Sequence, residues 1–375
     1  MYFLTKDIFH PSVVVIGLWT LLISLYYFLP HPLWDLSESF YISLACWVVP
    51  FSVTSYFFSL WPIKMSKAFS NYTFKRDLYD KCFPYIVGYA LLFVTSLCYF
   101  AHGFSLTNIR LLFVSDNKPL VINLLLYLSA IPQIYVFYGI MNWHSVNKKR
   151  LFASLFLVLI VTLFKANKTS FIAVCLGIIY ILKRRNTLDI RKTVIICLIL
   201  IGLLYTITIA RGDLDALTYN DFWQNYFYIY ALSPLTAFDL LINGGVTLED
   251  GAPGSGLLVF FYKIANAFGA GISISQLGEY VNVPLPTNVF TVMRGGYLDG
   301  GNICIFIYAC LSGMVFGIFY AWQKTNSLIH ILFYATIVSA LFFQSFGDYL
   351  FYALSTNIQY YIISCIIVRG IKIVR

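Results

Sequence analysis

Apolar residues run in long blocks along the chain, and polar residues gather in the intervals between them. A helix that crosses a bilayer needs roughly 20 mostly apolar residues. On that measure ten segments stand out: 11–29, 39–61, 83–101, 120–140, 151–164, 171–182, 193–210, 301–322, 329–346 and 351–368. The fifth and sixth are short and are separated by Lys165-Ala166-Asn167-Lys168-Thr169-Ser170. They read either as a tight helical hairpin or as two halves of a bent insertion. The longest interval, 211–300, is not simply polar. It holds two apolar, aromatic stretches, 222–242 and 256–272, the first interrupted by Pro234 and Asp239 and the second by Lys263 and Asn266. These predict helices that lie at the interface or re-enter the membrane, with a full pair of spans as the alternative.

The pattern therefore predicts an all-α polytopic membrane protein of about ten transmembrane helices with one large outside loop. Residues 1–210 hold the first seven helices. Residues 211–300 form the loop, and 301–375 hold the last three helices and a cytoplasmic C-terminus. Composition agrees. Of the 375 residues, 60% are hydrophobic and only 11% are charged, whereas a soluble domain carries about a quarter charged residues. A soluble globular enzyme, a disordered chain and a fibrous protein are excluded.

Charge sharpens the orientation. With the N-terminus inside, eighteen of the 25 basic residues fall in inner segments and seven outside. That bias predicts both termini in the cytoplasm and the long loop on the opposite side. The net charge of +9 then describes a cytoplasmic collar against anionic lipid, and the partner it implies is the lipid bilayer, not nucleic acid. Seven of the eight cysteines lie in predicted spans, Cys82 sits at a cytoplasmic edge, and no CxxC occurs. The five histidines are scattered and no P-loop or GxGxxG is present. No disulfide framework, metal or other cofactor is expected.

Four cations sit at outer interfacial depth, where orientation does not require them: Arg211, Arg294, Lys165 and Lys168. Partly desolvated charges are paired or used. The planar fork of Arg suits phosphate or diphosphate. Snorkelling, or pairing of Arg211 and Arg294 with Asp213 and Asp299, is the alternative. Among the outer acids, Asp213, Asp215, Glu249, Asp250, Asp299 and Asp348, simple solvation is the default. Asp299 differs because glycines at 295, 296, 300 and 301 surround it and permit tight turns and close backbone approach. The aromatic residues at 222–230 read as an interfacial belt, or as a platform for sugar rings.

The stretch PTNVFTVMRGGYLDGG at 286–301 is similar to the Asn-x-x-Thr segment followed by Tyr-x-Asp-x-Gly before a span in Wzy-type O-antigen polymerases. The segment KANKTSFIAVCLG at 165–177 resembles that family's basic residue plus Thr or Ser opening a Gly-containing apolar helix, and a large outside loop opening with Arg211 completes the likeness. Where the family often has Asp-Phe-Gly, this chain has Asp299-Gly300-Gly301. The resemblance implies a GT-C-like fold in the bacterial inner membrane and a glycosyltransferase activity in surface-polysaccharide (lipopolysaccharide) biosynthesis. It implies polymerisation of undecaprenyl-diphosphate-linked oligosaccharide repeat units on the periplasmic face, beside a possible chain-length regulator. In that chemistry Arg211 and Arg294, helped by Lys168, would bind the diphosphate leaving group. Asp299 would be the general base, with Asp213 or Glu249 as runner-up. Asn288, Thr291 and Tyr297 of the shared stretch would contact substrate. The arginines can neutralise diphosphate without a metal, so no metal is implied. An O-antigen ligase, and a flippase or transporter of the lipid-linked unit, are the rival functions.

Overall fold

A computed structural model describes residues 5, 7–61, 76–114, 119–165, 168–187, 202, 228–246, 251–274, 280–284, 286–325 and 327–370. The first helices are α1 (Pro11–Phe28), α2 (Glu38–Ser59), α3 (Arg76–Phe100), α4 (Leu106–Val114), α5 (Leu120–Leu128) and α6 (Ala130–Met141). They are followed by α7 (Lys148–Phe164), α8 (Lys168–Arg184), α9 (Ser233–Ile242) and α10 (Val259–Ala267). The last are α11 (Met293–Lys324), α12 (Leu328–Phe342) and α13 (Leu354–Gly370). Among the described residues, only Val281–Asn282 (β1) and Pro286–Thr287 (β2) pair as strands, antiparallel, with Val281 opposite Thr287. The protein is thus mostly helical with almost no sheet. Five segments are long and apolar enough to cross a bilayer: α1, α2, Tyr79–Phe100 of α3, the α5–α6 pair and α11. Large side chains such as Phe57, Tyr85, Phe156 and Ile303 are exposed on long apolar helices, as a membrane-embedded protein requires.

Each apolar segment read from the sequence overlaps a helix except 193–210, which lies outside the described residues apart from Gly202. The boundaries differ in instructive ways. α7 starts at Lys148 because the Asn147 carboxamide caps it, accepting the Lys149 N–H at 3.1 Å and the Arg150 N–H at 3.4 Å. The basic residues that mark the span's flank are therefore already helical. α7 and α8 pack on each other as a hairpin. In the long loop, α10 has nine residues and rises about 14 Å, far short of the roughly 30 Å hydrocarbon core. That rules out a full span over 256–272. α11 begins at Met293, so residues 293–300 of the predicted loop belong to a helix.

The chain divides into two compact units. The first comprises 1–64, 217–325 and 340–357, and the second 65–216, 326–339 and 358–375. In the first, α2 and α11 form the dominant seam. α11 carries Gly313 and Gly317, four residues apart. A Cβ at Gly313 would lie 2.5 Å from the Phe51 carbonyl oxygen, and one at Gly317 would lie 2.6 Å from that of Ser55. Only glycine lets the two backbones approach this closely. α1 joins through serines: the Ser12 hydroxyl donates to the Ser52 carbonyl at 2.8 Å and lies 2.8 Å from Ser55 Oγ. The Nε1–H groups of Trp19 and Trp47 both donate to Oε1 of buried Gln344, at 3.1 and 3.0 Å. These bonds satisfy polar groups that would otherwise be costly in an apolar interior.

His10 caps α1. Its Nδ1 accepts the Ser12 N–H, so Nε2 carries the proton and donates to Ser59 Oγ at 2.9 Å. The ring packs edge-on against Tyr320, whose hydroxyl donates to Asp7 at 2.6 Å. Burial, reinforced by Lys324, pushes the His10 imidazole down to about 4.

In the second unit, Phe93, Leu97, Ile122, Leu125 and Val161 form an apolar cluster across α3, α5 and α7. Tyr79 and Tyr135 stack at 4.1 Å, and Asp80 pairs with Arg150 at 3.3 Å. Gly177 of α8 lets the helix approach Phe137 and the Ala335 carbonyl.

Candidate functional site

The glycine-rich mouth of α11 gathers most of the residues singled out by sequence. Val292 donates its N–H to the Gln344 carbonyl at 2.8 Å, and buried Met293 starts the helix. Gly295 then meets Gly256 backbone to backbone. A Cβ at Gly256 would sit 2.7 Å from both the Gly295 Cα and Asp299 Oδ2. The Asp299 carboxylate grips the same turn, accepting the Gly254 N–H at 3.0 Å on Oδ1 and the Gly256 N–H at 2.9 Å on Oδ2. The Tyr308 hydroxyl also donates to Oδ2. Directly after Asp299 the helix kinks. Gly301 has φ 64° and ψ −149°, a conformation closed to residues with a Cβ. The helix resumes with the Asn302 side chain accepting the Ser43 hydroxyl at 2.7 Å.

Tyr297 donates its hydroxyl to the Ile242 carbonyl at 3.1 Å and packs edge-on against Phe238. It ties the first turn of α11 to the end of α9. Asn288 is half-buried beyond β2. Thr291 is fully buried, and its hydroxyl has no hydrogen-bond partner in the structure. Arg294 is half-buried, with its guanidinium 5.2 Å over the Phe290 ring. A cation over an aromatic face gains on the order of 1 kcal/mol where water is partly excluded.

The loop between α12 and α13 contributes Asp348, read from sequence as a solvated acid, and Tyr352, which sequence reasoning passed over. Asp348 accepts the Leu350 N–H at 2.7 Å and the Phe351 N–H at 3.1 Å. Burial pushes its carboxyl up to about 6 despite those bonds, so it is not the solvated acid expected. Tyr352 in the same loop lies under the Lys263 ammonium, 5.0 Å from the ring centre. The available signal was the Gly347-Asp348 turn between two apolar runs. Asp239 was also missed as a structural acid. It is buried and accepts the Ser37 N–H at 3.2 Å, the Ser37 hydroxyl and the Asn243 amide at 3.1 Å. The polar interruption in 222–242 is thus a clamp on the start of α2.

The structure brings Arg294, Asp299, Asn288, Thr291 and Tyr297 into one short stretch of the first unit. Lys168 opens α8 in the second unit. Arg211, Asp213 and Glu249 lie outside the described residues. Beside Lys168, Lys165 donates to Ser129 Oγ at 2.8 Å, and burial pulls its ammonium down to about 8. Among the described residues no group of three or more His, Cys, Asp or Glu side chains is placed to hold a metal ion.

The mouth of α11 therefore offers a half-buried guanidinium, a second cation on the same loop system and a glycine turn held by a carboxylate. Comparisons with protein-family models, with curated proteins and with solved structures each give no match.

Proposed function

We propose that the chain is a glycosyltransferase of the O-antigen polymerase type, which joins undecaprenyl-diphosphate-linked oligosaccharide repeat units on the periplasmic face of the bacterial inner membrane. In this reading the fold is GT-C-like with about ten spans, and both termini are cytoplasmic. A chain-length regulator is a possible partner. The observation that carries it is the half-buried Arg294, held over Phe290 at a glycine-rich helix mouth. A hydroxyl oxygen of the acceptor sugar attacks the anomeric carbon of the donor, and the bond from that carbon to the diphosphate oxygen breaks. Undecaprenyl diphosphate leaves with the bonding electrons. Arg294 offsets the negative charge that develops on it. In this reading Asn288, Thr291 and Tyr297 are the candidate sugar contacts.

The hydroxyl proton needs a base. Asp299 already accepts two backbone N–H groups and a tyrosine hydroxyl. Its bonding favours a positioning role, holding Gly254–Gly256 beside Gly295, and the base role passes to Asp213 or Glu249. The cell phenotype of a deletion tests the function. Single capped repeat units on the lipopolysaccharide are expected. Bare core with long lipid-linked polymer indicates a ligase instead, and bare core with lipid-linked units trapped inside indicates a flippase.

A further inference from the structure

α7 and α8 form a hairpin, so the start of one and the end of the other share one end of the second unit. Basic residues collect there. Lys148, Lys149 and Arg150 open α7, and Lys183 and Arg184 close α8, with Arg185 directly after it. Trp143, in the turn between α6 and α7, joins the two groups. The Lys148 ammonium lies 5.5 Å from the centre of its ring and the Arg185 guanidinium 5.9 Å. Asp80 pairs with Arg150 at 3.3 Å. Among the described residues no carboxylate lies within salt-bridge distance of Lys148 or Arg185. Two cations on one ring repel each other, and the attraction of the ring offsets only part of that repulsion. An anion at the ring reverses the balance.

Both helix ends are fixed by asparagines. Asn147 caps α7 through the Lys149 and Arg150 N–H groups, which sets the start of that helix at Lys148. Asn186 ends α8. With φ 53° it turns the chain back, so that its N–H reaches the Lys183 carbonyl at 2.9 Å and the Thr187 N–H reaches the Leu182 carbonyl at 3.1 Å. Arg185, half-buried, is held in that turn. The indole N–H of Trp143 has no hydrogen-bond partner among the described residues. Beyond Lys148 the same face of α7 is apolar and open. Phe152 and Phe156 follow at four-residue spacing, 54% and 63% exposed. The Phe152 ring packs edge-on against Trp143 at 5.6 Å. Cations at the end, an indole at the rim and phenyl rings along the helix match a phospholipid from its phosphate to its acyl chain.

We infer that Lys148, Arg185 and Trp143 form a binding site for one anionic phospholipid, with the headgroup phosphate at the two cations and an acyl chain along Phe152 and Phe156. Asn147 and Asn186 are the positioning residues. A basic collar attracts any anionic surface through its summed charge, whereas this site selects through two particular cations at one ring. It lies wholly within the second unit and does not rest on the function proposed above.

The test uses the full chain purified in detergent and titrated with phosphatidylglycerol or with phosphatidylcholine of the same chains. Native mass spectrometry counts the lipid retained. Wild type is expected to hold one phosphatidylglycerol in preference to phosphatidylcholine. K148Q and R185Q are each expected to weaken that retention about fivefold, and the two together about 25-fold, with K148R near wild type. K149Q removes an adjacent exposed charge that meets no aromatic ring among the described residues, and it is expected to leave retention unchanged. Lys148 is exposed as well, so K148Q keeps its fold, checked by gel filtration and a thermal melt. Equal losses in K148Q and K149Q overturn the site, because summed charge then explains the binding. A wild type that holds the two lipids equally overturns it too. Glycerol 3-phosphate offers a phosphate without acyl chains. Its failure to displace phosphatidylglycerol at equal concentration supports a lipid site, and displacement at that concentration overturns the lipid part.

Discussion

The two ends of α11 use glycine for opposite purposes. In the middle and towards its C-terminus, Gly313 and Gly317 bring a regular helix against the Phe51 and Ser55 carbonyls of α2. There the absent side chain is all that matters, and the backbone stays helical. At the N-terminal end, Gly295 touches Gly256 while Gly301 leaves helical dihedrals altogether. There the glycines shape a turn around a carboxylate and an arginine. The first arrangement is how apolar helices associate where burial in lipid gives no hydrophobic driving force. The second uses the freedom of glycine to turn the backbone beside charged groups. One helix thus carries a structural seam and a chemical mouth, separated by a kink.

Breaking the seam gives the largest effect. G317L places a branched side chain where even a Cβ meets backbone at 2.6 Å. The expected result is loss of folded protein, because a carbonyl cannot step aside and overpacking costs at least 1–3 kcal/mol. Membrane yield and a thermal melt of any surviving fraction check it. G17L, where nothing lies within 4 Å of the missing Cβ, is expected to leave both near wild type.

Loosening the mouth is expected to be milder. In D299N the amide nitrogen cannot accept a backbone N–H, so one of Gly254 and Gly256 loses its partner, at about 1–3 kcal/mol locally. Hydrogen exchange at those amides reports it: faster exchange with only partial loss of activity fits a positioning role. Unchanged exchange with activity abolished makes Asp299 the base instead.

Two titrations follow, one on each side of the comparison. His10 supports the α2–α11 seam at its far end and has its basicity lowered to about 4 from 6.5. The folded state binds the proton less readily than the unfolded one. Its contribution is present above pH 6.5 and is lost as pH falls through 4, on the order of 3 kcal/mol. A melting temperature that falls over that window, and a smaller fall in H10Q, is the expected outcome. Asp348, beside the mouth, has the opposite sign. Its carboxyl is raised to about 6 from 3.8. Its contribution is fully present below pH 3.8 and is lost as pH rises through 6. The effect is confined to one loop, so the smallest change is expected here, read as protection of the Leu350 and Phe351 amides, corrected for the intrinsic pH dependence of exchange, that falls above pH 6 and does not in D348N.

The seam and the mouth were unequally legible. Length and hydropathy located the helices because a bilayer imposes its thickness on any sequence that spans it. Gly313-x-x-x-Gly317 was open to reading as a packing motif. Boundaries were obscured where polar residues are helical, as at Lys148 capped by Asn147 and at Met293–Gly300, whose glycines resemble a loop. At the mouth, sequence singled out Arg294 and Asp299 from depth and glycine neighbours. It had no access to what Asp299 binds, because Gly254 and Gly256 lie more than 40 residues away along the chain. Tyr352 was overlooked and Lys263 was read only as a polar interruption for the same reason: each looks ordinary alone, and they meet only in the fold. Arg211, Asp213 and Glu249 stay as expectations on residues that are not described.

The most direct measurement of the central claim is a ladder gel of surface glycans from cells in which R294A replaces the native chain at matched membrane levels. The account predicts single repeat units and no ladder, with R294K restoring short chains, because one preorganised donor to a developing anion is worth about two to three orders of magnitude in rate. A wild-type distribution of chain lengths from R294A contradicts it.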